Sequence, residues 1–264
     1  MTEFLPSTLT AKVAMVVPCY NESSRWNYQY WEELIRVKNV DWYFIDDGSR
    51  DSTYAIISKY TKHPNCQAKS LERNSGKSEA VRSGLLEAAN AHNNYEFIGF
   101  IDADGCVSAS DVQRISDLPY YLNGASVKFD AIWASRIPLS GRLIVRSRFR
   151  HVIGRLLAKI FKMGAGELPY DTQCGFKIFD NSIFLRRTLL REFQTRWLFD
   201  LEIHSRLRTE KGLNPVIWEE PLNQWIEVGN SKINSKEGIR ILFEIILLKS
   251  LQAKSQLGTR RKWT

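Results

Sequence analysis

The chain has 264 residues, of which 44% are apolar and 25% charged, and 37 basic against 29 acidic side chains give a formal net charge of +8. This composition excludes intrinsic disorder, a collagen-like chain and a disulfide scaffold, and the length fits one α/β domain with an extension as well as it fits two domains. The four cysteines lie far apart, with no Cys-x-x-Cys pair, which argues against a zinc site or a redox motif.

The N-terminus and the apolar stretches predict a cytoplasmic chain. Residues 1–12 include the acidic Glu3 and lack the apolar run of about 7–15 residues that a secretory signal needs. The longest apolar stretch, residues 241–248, is interrupted by Glu244 and is much shorter than the roughly 20 residues that span a bilayer. We therefore expect that no segment crosses a membrane by itself.

Short apolar runs alternate with segments of helical periodicity through the first half of the chain. This alternation is typical of βαβ units and a mostly parallel sheet. The predicted strands are 13–17, 42–45, 97–101, 131–134 and, further along, 216–218. The predicted helices are 30–38, 53–62, 77–91 and, near the C-terminus, 237–254. A segment of mixed polar and apolar residues covers 193–207.

Polar clusters follow the predicted strands of the first half. They are 20–22, 46–49, 102–105 and 135–136. In open α/β sheets, ligands bind beyond the carboxyl ends of the strands. We therefore expect these loops to line one site.

Asp102 and Asp104 flank a turn at the end of a predicted strand. Two carboxylates so placed can share a hard divalent cation that completes its shell with substrate phosphates and water, although a simple Asp-Gly turn would also use them. Asp46 and Asp47 provide two adjacent carboxylates, which is more than a helix cap requires. We therefore expect one of them to be free to accept hydrogen bonds from a ligand.

Gly76, Lys77 and Ser78 open a predicted helix in a pattern that resembles the end of a phosphate-binding P-loop. The full motif requires glycine where this chain has Leu71, so we reject a P-loop. Free amides at a helix N-terminus next to a lysine still favour a local anion site, the alternative being that Lys77 is solvated.

The positive charge is concentrated between Arg136 and Lys162. This window has eight basic residues and no acidic one, which equals the net charge of the whole chain. A nucleic acid, an anionic membrane surface or a small polyanionic substrate would each explain it.

Taken together, six motifs resemble one family of enzymes. They are 17–22 (VPCYNE), 45–51 (IDDGSRD), 74–77 (NSGK), 102–104 (DAD), 170–179 (YDTQCGFKIF) and 197–202 (WLFDLE). The first four resemble the nucleotide-sugar half of inverting family-two glycosyltransferases with the GT-A fold. The last two are similar to the acceptor half of the polyprenyl-phosphate branch, particularly the dolichyl-phosphate glucosyltransferases.

The resemblance implies an α/β fold of the GT-A type, with a Rossmann-like, mostly parallel sheet flanked by helices. We expect the GT-A domain over residues 1–230, divided into a donor half at about 12–136 and an acceptor half at about 137–230. Residues 231–264 would form an amphipathic helical extension. That helix would lie in a membrane interface, or pack against the domain or against a second copy of the chain.

The resemblance also implies residues of the donor site. Pro18, Tyr20 and Glu22 would border the nucleoside, and Asp47 would accept a hydrogen bond from the base, expected to be uracil. Asp102 and Asp104 would hold Mg²⁺ or Mn²⁺ on the diphosphate, with Asp104 as a catalytic residue. The donor-binding set is Pro18, Tyr20, Glu22, Asp47, Lys77, Asp102 and Ala103.

The acceptor side is implied in the same way. Arg136 and Arg150 would clamp a phosphate, because guanidinium is always charged and can bind phosphate through two parallel hydrogen bonds. The candidates for orienting acceptor or sugar hydroxyls, or for a base, are Asp171, Gln173, Lys177, Asp200 and Glu202. A helix cap or a buried salt bridge is the alternative role of any one of them.

The resulting hypothesis is a metal-dependent transferase that moves one hexose, expected to be glucose, from a UDP-sugar to a polyprenyl phosphate with inversion. Its expected location is the cytoplasm, peripheral to the membrane. A second hypothesis sends the sugar to a soluble or cell-envelope glycan hydroxyl, with Asp171, Asp200 or Glu202 as base. A third, non-enzymatic nucleic-acid binding, is disfavoured because the acidic loops would repel a polyanion.

Overall fold

A computed structural model describes residues 12–145, 168–228, 240–241 and 243–250. Within them, the strands are β1 Val13–Cys19, β2 Val40–Asp46, β3 Cys66–Ser70, β4 Phe97–Ile101, β5 Ala131–Ser135, β6 Leu143–Val145, β7 Phe176–Asp180, β8 Ile217–Pro221 and β9 Gln224–Ile226. The helices are α1 Tyr28–Leu34, α2 Thr53–Ile57, α3 Lys77–Ala89, α4 Ala109–Gly124, α5 Ile183–Leu189, α6 Phe199–Lys211 and, at 240–250 apart from residue 242, α7.

The described strands form a seven-stranded sheet in the order β3-β2-β1-β4-β7-β5-β8, beside a small pair, β6 and β9. Strands β3, β2, β1 and β4 run parallel to one another, β7 is antiparallel to both of its neighbours, and β5 is parallel to β8. The expected mostly parallel α/β sheet is confirmed.

Central strands β1, β2 and β4 are buried because helices cover both faces of the sheet. Their near-continuous runs of β-branched and aromatic residues suit such strands. One face packs on a cluster that contains Trp31 and Trp42, and the other on a cluster that contains Leu85 and Phe199. The carboxyl ends of the parallel strands are left at one edge for the site.

Several predicted boundaries shift in the structure. Helix α1 begins at Tyr28, where the side chain of Asn27 caps it, and ends at Leu34 rather than at residue 38. The predicted helix 53–62 is an α-helix only over Thr53–Ile57 and continues as a 3₁₀-helix over Ser58–Lys62. Strands β3, β6, β7 and β9 and helices α4 and α5 were not predicted.

The C-terminal helix α7 packs against α6. In the described part of the helix, Ile245 and Leu248 are buried with Leu198 and Leu201. Phe243 and Ile246, on its other side, are 68% and 66% exposed. No helix in the described part of the chain is both long and apolar enough to cross a bilayer.

The close contact between α3 and the sheet at Gly84 generates a prediction. A Cβ at Gly84 would lie 2.5 Å from a methyl carbon of Val16 and 2.8 Å from Ile45. We expect Gly84→Ala to lower the free energy of unfolding, because overpacking a core costs about 1–3 kcal/mol.

Urea unfolding measures this change, and Gly124→Ala is the matched control. A Cβ at helical Gly124 meets no atom within 4 Å, so alanine there should leave stability unchanged or raise it by up to about 1 kcal/mol. Equal stability of the two variants would contradict the close packing of α3.

Candidate active site

The loops that follow β1 and β2 are tied together at the carboxyl edge of the sheet. The amide of Asn21 donates to the hydroxyl of Ser49 (2.9 Å), and the side chain of Asn21 accepts from the amide of Arg50 (2.9 Å). The amide of Glu22 donates to the hydroxyl of Thr53 (2.7 Å). The predicted nucleoside loop therefore has a defined shape, with Pro18 and Tyr20 half-buried beside it.

Asp47 is buried under the loop of residues 74–76, which we call the donor loop. Its carboxylate accepts from the amides of Ser75 (2.7 Å) and Gly76 (2.8 Å) and from the side-chain amide of Asn74 (2.9 Å). Burial raises the pKa of Asp47, and the amides of Ser75 and Gly76 oppose that rise. Asp47 therefore holds the donor loop, and its contact with a base stays a prediction.

Asp46 has protein partners as well. Its carboxylate accepts from the hydroxyl of Ser70 (2.7 Å) and from the amide of Ser49 (3.2 Å). Both carboxylates accept hydrogen bonds from loop groups at the strand ends, because a buried carboxylate needs donors. The expectation that one of the two also accepts from a ligand stays a prediction.

Lys77 and Asp102 form an ion pair at the same edge. The Nζ atom of Lys77 lies 2.5 Å from Oδ1 of Asp102, and each side chain is about one-third exposed. Desolvation lowers the pKa of Lys77, but the charge of Asp102 outweighs it, so the pKa lies above its ordinary value and the ammonium is charged at neutral pH. The structure thus gives Lys77 a specific partner rather than solvent alone.

Asp104 lies close enough to Asp102 for their charges to interact. Burial and then the charge of Asp102 raise the pKa of Asp104, while the amide of Cys106 donates to its carboxylate (3.1 Å) and opposes the rise. Two partly exposed oxygen donors that repel each other fit a hard cation such as Mg²⁺ or Mn²⁺, which uses few protein ligands and takes the rest from phosphates and water. Across the described residues no group of three or more His, Cys, Asp or Glu side chains is placed to hold a metal ion by itself.

Gly175 supports the position of Asp102, a role that the sequence analysis did not assign to it. Its carbonyl accepts from the amide of Asp102 (2.9 Å), and a Cβ at this position would lie 2.2 Å from Oδ2 of Asp102. Glycine is therefore required for Asp102 to sit where it does. Gly175 falls within the 170–179 motif, so the sequence did contain a signal for it. The resemblance, however, assigns that motif to the acceptor half.

Arg136 and Asp171 are paired with each other. Atoms Nε and Nη2 of Arg136 donate to the two oxygens of Asp171 at 2.6 and 2.8 Å, and the guanidinium lies 5.2 Å from the ring of Trp225. Desolvation lowers the pKa of Arg136, but the hydrogen bonds to Asp171 and the charge of Asp171 outweigh that effect. The pKa of Arg136 therefore lies above its ordinary value. The buried salt bridge left open for Asp171 is what the structure shows, and the phosphate-clamp role of Arg136 stays a prediction that requires this pair to open.

Lys177 is wholly buried and does not face a ligand. Its Nζ lies 2.9 Å from Asp200, donates to the carbonyl of Cys174 (2.6 Å) and sits 4.6 Å from the ring of Trp133. Burial raises the pKa of Asp200, and Lys177 opposes that rise. The expectation that Lys177 contacts an acceptor or a sugar is wrong, because the side chain serves as the counter-ion of a buried carboxylate.

Glu202 is also an internal group. Its carboxylate accepts from the amides of Gln194 and Thr195, from the hydroxyl of Thr195 (2.7 Å) and from Arg206 (2.6 Å). It is 1% exposed, so the expectation that it orients an acceptor or a sugar is wrong. Gln173 and Ala103 are partly exposed near the site, and their roles stay predictions.

Arg25 is a second residue that sequence reasoning missed. Its guanidinium forms an ion pair with the buried Glu22 and is about one-third exposed. Desolvation lowers the pKa of Arg25, but Glu22 and then the charges of Asp104 and Asp102 raise it above its ordinary value. Arg25 is therefore a cation at the margin of the carboxylate pair. The three-residue spacing between Glu22 and Arg25 did not indicate this role in the sequence.

Six of the eight basic residues between Arg136 and Lys162 lie outside the described residues. Arg150, the other predicted clamp, lies outside the described residues. The same holds for Arg146, Arg148, Arg155, Lys159 and Lys162.

Comparison with known proteins gives relatives for most of the chain. Residues 14–118 match the family model of Glycosyl transferase family 2. The chain is 29% identical over 258 residues to the dolichyl-phosphate beta-glucosyltransferase of Dictyostelium discoideum, with 92% of this chain and 71% of that protein covered.

Two solved structures share the fold. Glucosyl-3-phosphoglycerate synthase from Mycobacterium tuberculosis, in complex with UDP, has a TM-score of 0.60 at 16% identity, over 92% of this chain and 80% of that one. The mannosyltransferase PcManGT from Pyrobaculum calidifontis, in complex with GDP-Man and Mn²⁺, has a TM-score of 0.58 at 17% identity, over 87% of this chain. This chain spans 60% of the mannosyltransferase, less than two thirds of its length. Such likeness shows the fold, and the expected GT-A type is confirmed.

The Arg136–Asp171 pair generates a prediction for stability. We expect Arg136→Ala to lower the free energy of unfolding by about 3–5 kcal/mol, because it leaves the buried carboxylate of Asp171 without its counter-ion. Urea unfolding measures the loss, with Arg142→Ala, an exposed arginine of the same segment, as the matched control. A variant as stable as the control would contradict the ion pair.

Proposed function

We propose that this chain, which has the GT-A fold, is a family 2 glycosyltransferase. We propose further that its reaction is transfer of a single glucose from UDP-glucose to a polyprenyl phosphate, with inversion at the anomeric carbon. The observation that carries the proposal is the meeting of Lys77, Asp102 and Asp104 beside the donor loop. The dolichyl-phosphate beta-glucosyltransferase of Dictyostelium discoideum supports the choice of sugar and acceptor.

The donor half supplies the charges that a nucleoside diphosphate requires. Asp102 and Asp104 would hold the metal, and a bound Mg²⁺ or Mn²⁺ neutralises negative charge on the departing diphosphate. The charged Lys77 at the N-terminus of α3 adds a second positive group, with free helix amides behind it. Pro18, Tyr20 and the Glu22–Arg25 pair would border the nucleoside.

The state of the candidate bases favours an acceptor that is already anionic. A glycan hydroxyl must lose its proton to a base, whereas a phosphate oxygen attacks the anomeric carbon without one. Asp171 is bound to Arg136, Asp200 to Lys177, and Glu202 to the backbone and Arg206. With these groups engaged, positioning and charge neutralisation would carry the step.

The acceptor phosphate would enter beside the basic window. Arg150 remains the proposed clamp, joined by Arg136 if its pair with Asp171 opens. The exposed Phe243 and Ile246 of α7 would face the membrane in which a polyprenyl acceptor lies, so we propose a peripheral location.

A direct assay tests the proposed reaction. Purified protein is incubated with polyprenyl phosphate, Mg²⁺ or Mn²⁺, and one labelled donor: UDP-glucose, UDP-galactose, UDP-GlcNAc or GDP-mannose. We expect organic-extractable label from UDP-glucose. Label that appears only in a water-soluble glycan would favour the hydroxyl acceptor, and full activity in EDTA would contradict the metal.

Asp104 provides a prediction for donor binding. Asp104→Asn should weaken Mn²⁺-dependent UDP binding and lower the rate of transfer at least about a hundredfold, since metal stabilisation is worth several kcal/mol. Glu210→Gln, an exposed carboxylate on α6, is the control and should behave as the wild type. Isothermal titration with UDP, with and without Mn²⁺, measures the first effect.

Gly175 provides a prediction for the position of Asp102. Gly175→Ala should weaken Mn²⁺-dependent UDP binding at least about tenfold, because the new Cβ would overlap the Asp102 carboxylate and displace it from the metal position. Gly124→Ala controls for the added methyl group. Unchanged UDP affinity in a folded Gly175→Ala protein would show that Asp102 is not needed in its observed position.

A further inference from the structure

We propose that Glu244 and Arg196 are positioning residues, which fix the donor loop from the C-terminal helix. Glu244 lies on α7, far outside the donor half, yet it is 6% exposed. Its carboxylate accepts from the amides of Arg196 (2.8 Å), Trp197 (3.0 Å) and Leu198 (3.0 Å). These bonds hold the segment that leads into α6.

Glu244 binds the segment that leads into α6 rather than the helix itself. An N-cap side chain normally accepts from one of the first amides of its own helix. The N-cap residue of α6 is Leu198, and no side chain makes that bond. Glu244 accepts instead from the amides of the three consecutive residues that end at this N-cap position, and the apolar packing of Ile245 and Leu248 keeps α7 in place.

Arg196 carries the restraint from this segment to the donor loop. Its Nη2 donates to Oδ1 of Asn74 at 2.6 Å, while Nδ2 of Asn74 donates to Asp47 at 2.9 Å. The side chain of Arg196 also lies against Gly76, where a Cβ would come within 2.7 Å of its Nε. A continuous series of contacts thus runs from Glu244 through Arg196 and Asn74 to Asp47.

The donor loop is the segment that places Lys77. Ser75 and Gly76 donate to Asp47, and the next residue is Lys77, paired with Asp102. Loss of the Arg196 contact would leave the loop held from one side, by Asp47. We infer that the C-terminal helix completes the donor site without touching the donor, an inference whose consequence for binding rests on the proposed function.

Hydrogen exchange in the ligand-free protein tests the structural link by itself. Glu244→Gln and Arg196→Lys should each accelerate exchange of the Ser75 and Gly76 amides at least about fivefold, the lower end of couplings between distant sites. Phe243→Ala, an exposed neighbour on the same helix, is the control and should leave exchange at the donor loop unchanged. Unchanged exchange in both test variants would overturn the proposal.

Arg196→Lys keeps the test valid if Glu244→Gln does not fold. Glu244 binds the main-chain amide of Arg196, so the lysine variant retains those bonds and a positive charge, and loses the reach of the guanidinium to Asn74. A melting temperature close to that of the wild type, together with faster exchange at the donor loop, would identify positioning rather than general destabilisation.

Donor binding then tests the functional consequence by a double-mutant cycle. Glu244→Gln and Asn74→Ala should each raise the Kd for UDP in the presence of Mn²⁺, and the KM for UDP-glucose, by roughly fivefold, with a smaller change in kcat. The double variant should be no weaker than the worse single variant, because both changes break one series of contacts. Independent, multiplying effects would overturn the coupling.

The two experiments separate the two proposals. If the variants show faster exchange at the donor loop and the wild type does not bind UDP, the link is supported and the proposed donor is contradicted. Tight UDP binding by the wild type, with unchanged exchange and affinity in the variants, would support the donor and contradict the link.

Discussion

The buried carboxylate of Asp47 organises the carboxyl edge of the sheet, where donor binding is predicted. A carboxylate removed from water must find hydrogen-bond donors, and Asp47 takes them from the donor loop, at Asn74, Ser75 and Gly76. The loop is thereby drawn over the end of β2, where Gly48 has no Cβ to obstruct the backbone of Arg73. The position of Lys77 against Asp102, and with it the charge of the candidate site, follows from this one constraint.

The same rule applies to the region predicted to be the acceptor half. Inside the protein a single charge is costly, and each buried acidic group of this region has a basic or amide partner, as in Arg136–Asp171 and Lys177–Asp200. These pairs join segments that are distant along the chain, since Arg136 follows β5 and Lys177 on β7 meets Asp200 on α6. Residue types that suggest acid–base chemistry in the sequence are therefore used for structure, which agrees with the proposal of an acceptor that brings its own negative charge.

Strands β1, β2 and β4 were predictable whereas β3 and β7 were not, for a physical reason. Strands β1, β2 and β4 are covered on both faces, so their sequences are almost continuously apolar. Strand β3 lies at the edge of the sheet and is largely exposed, and β7 contains the buried Lys177, so neither shows such a run. Helix α4 was hidden by its internal proline, Pro119, since proline normally argues against a helix interior.

By itself the sequence determined where the chemistry-bearing groups stand along the chain and at which strand ends they fall. It placed Asp102 and Asp104 in a loop of a parallel sheet and Lys77 at the start of a helix, because hydrophobic periodicity and turn residues are local properties. Tertiary structure alone decided which charges are paired and which residues support them from afar, such as Gly175 beneath Asp102 and Glu244 behind the donor loop. These contacts join residues far apart in sequence, and the order and register of the strands and the packing of the helices bring them together.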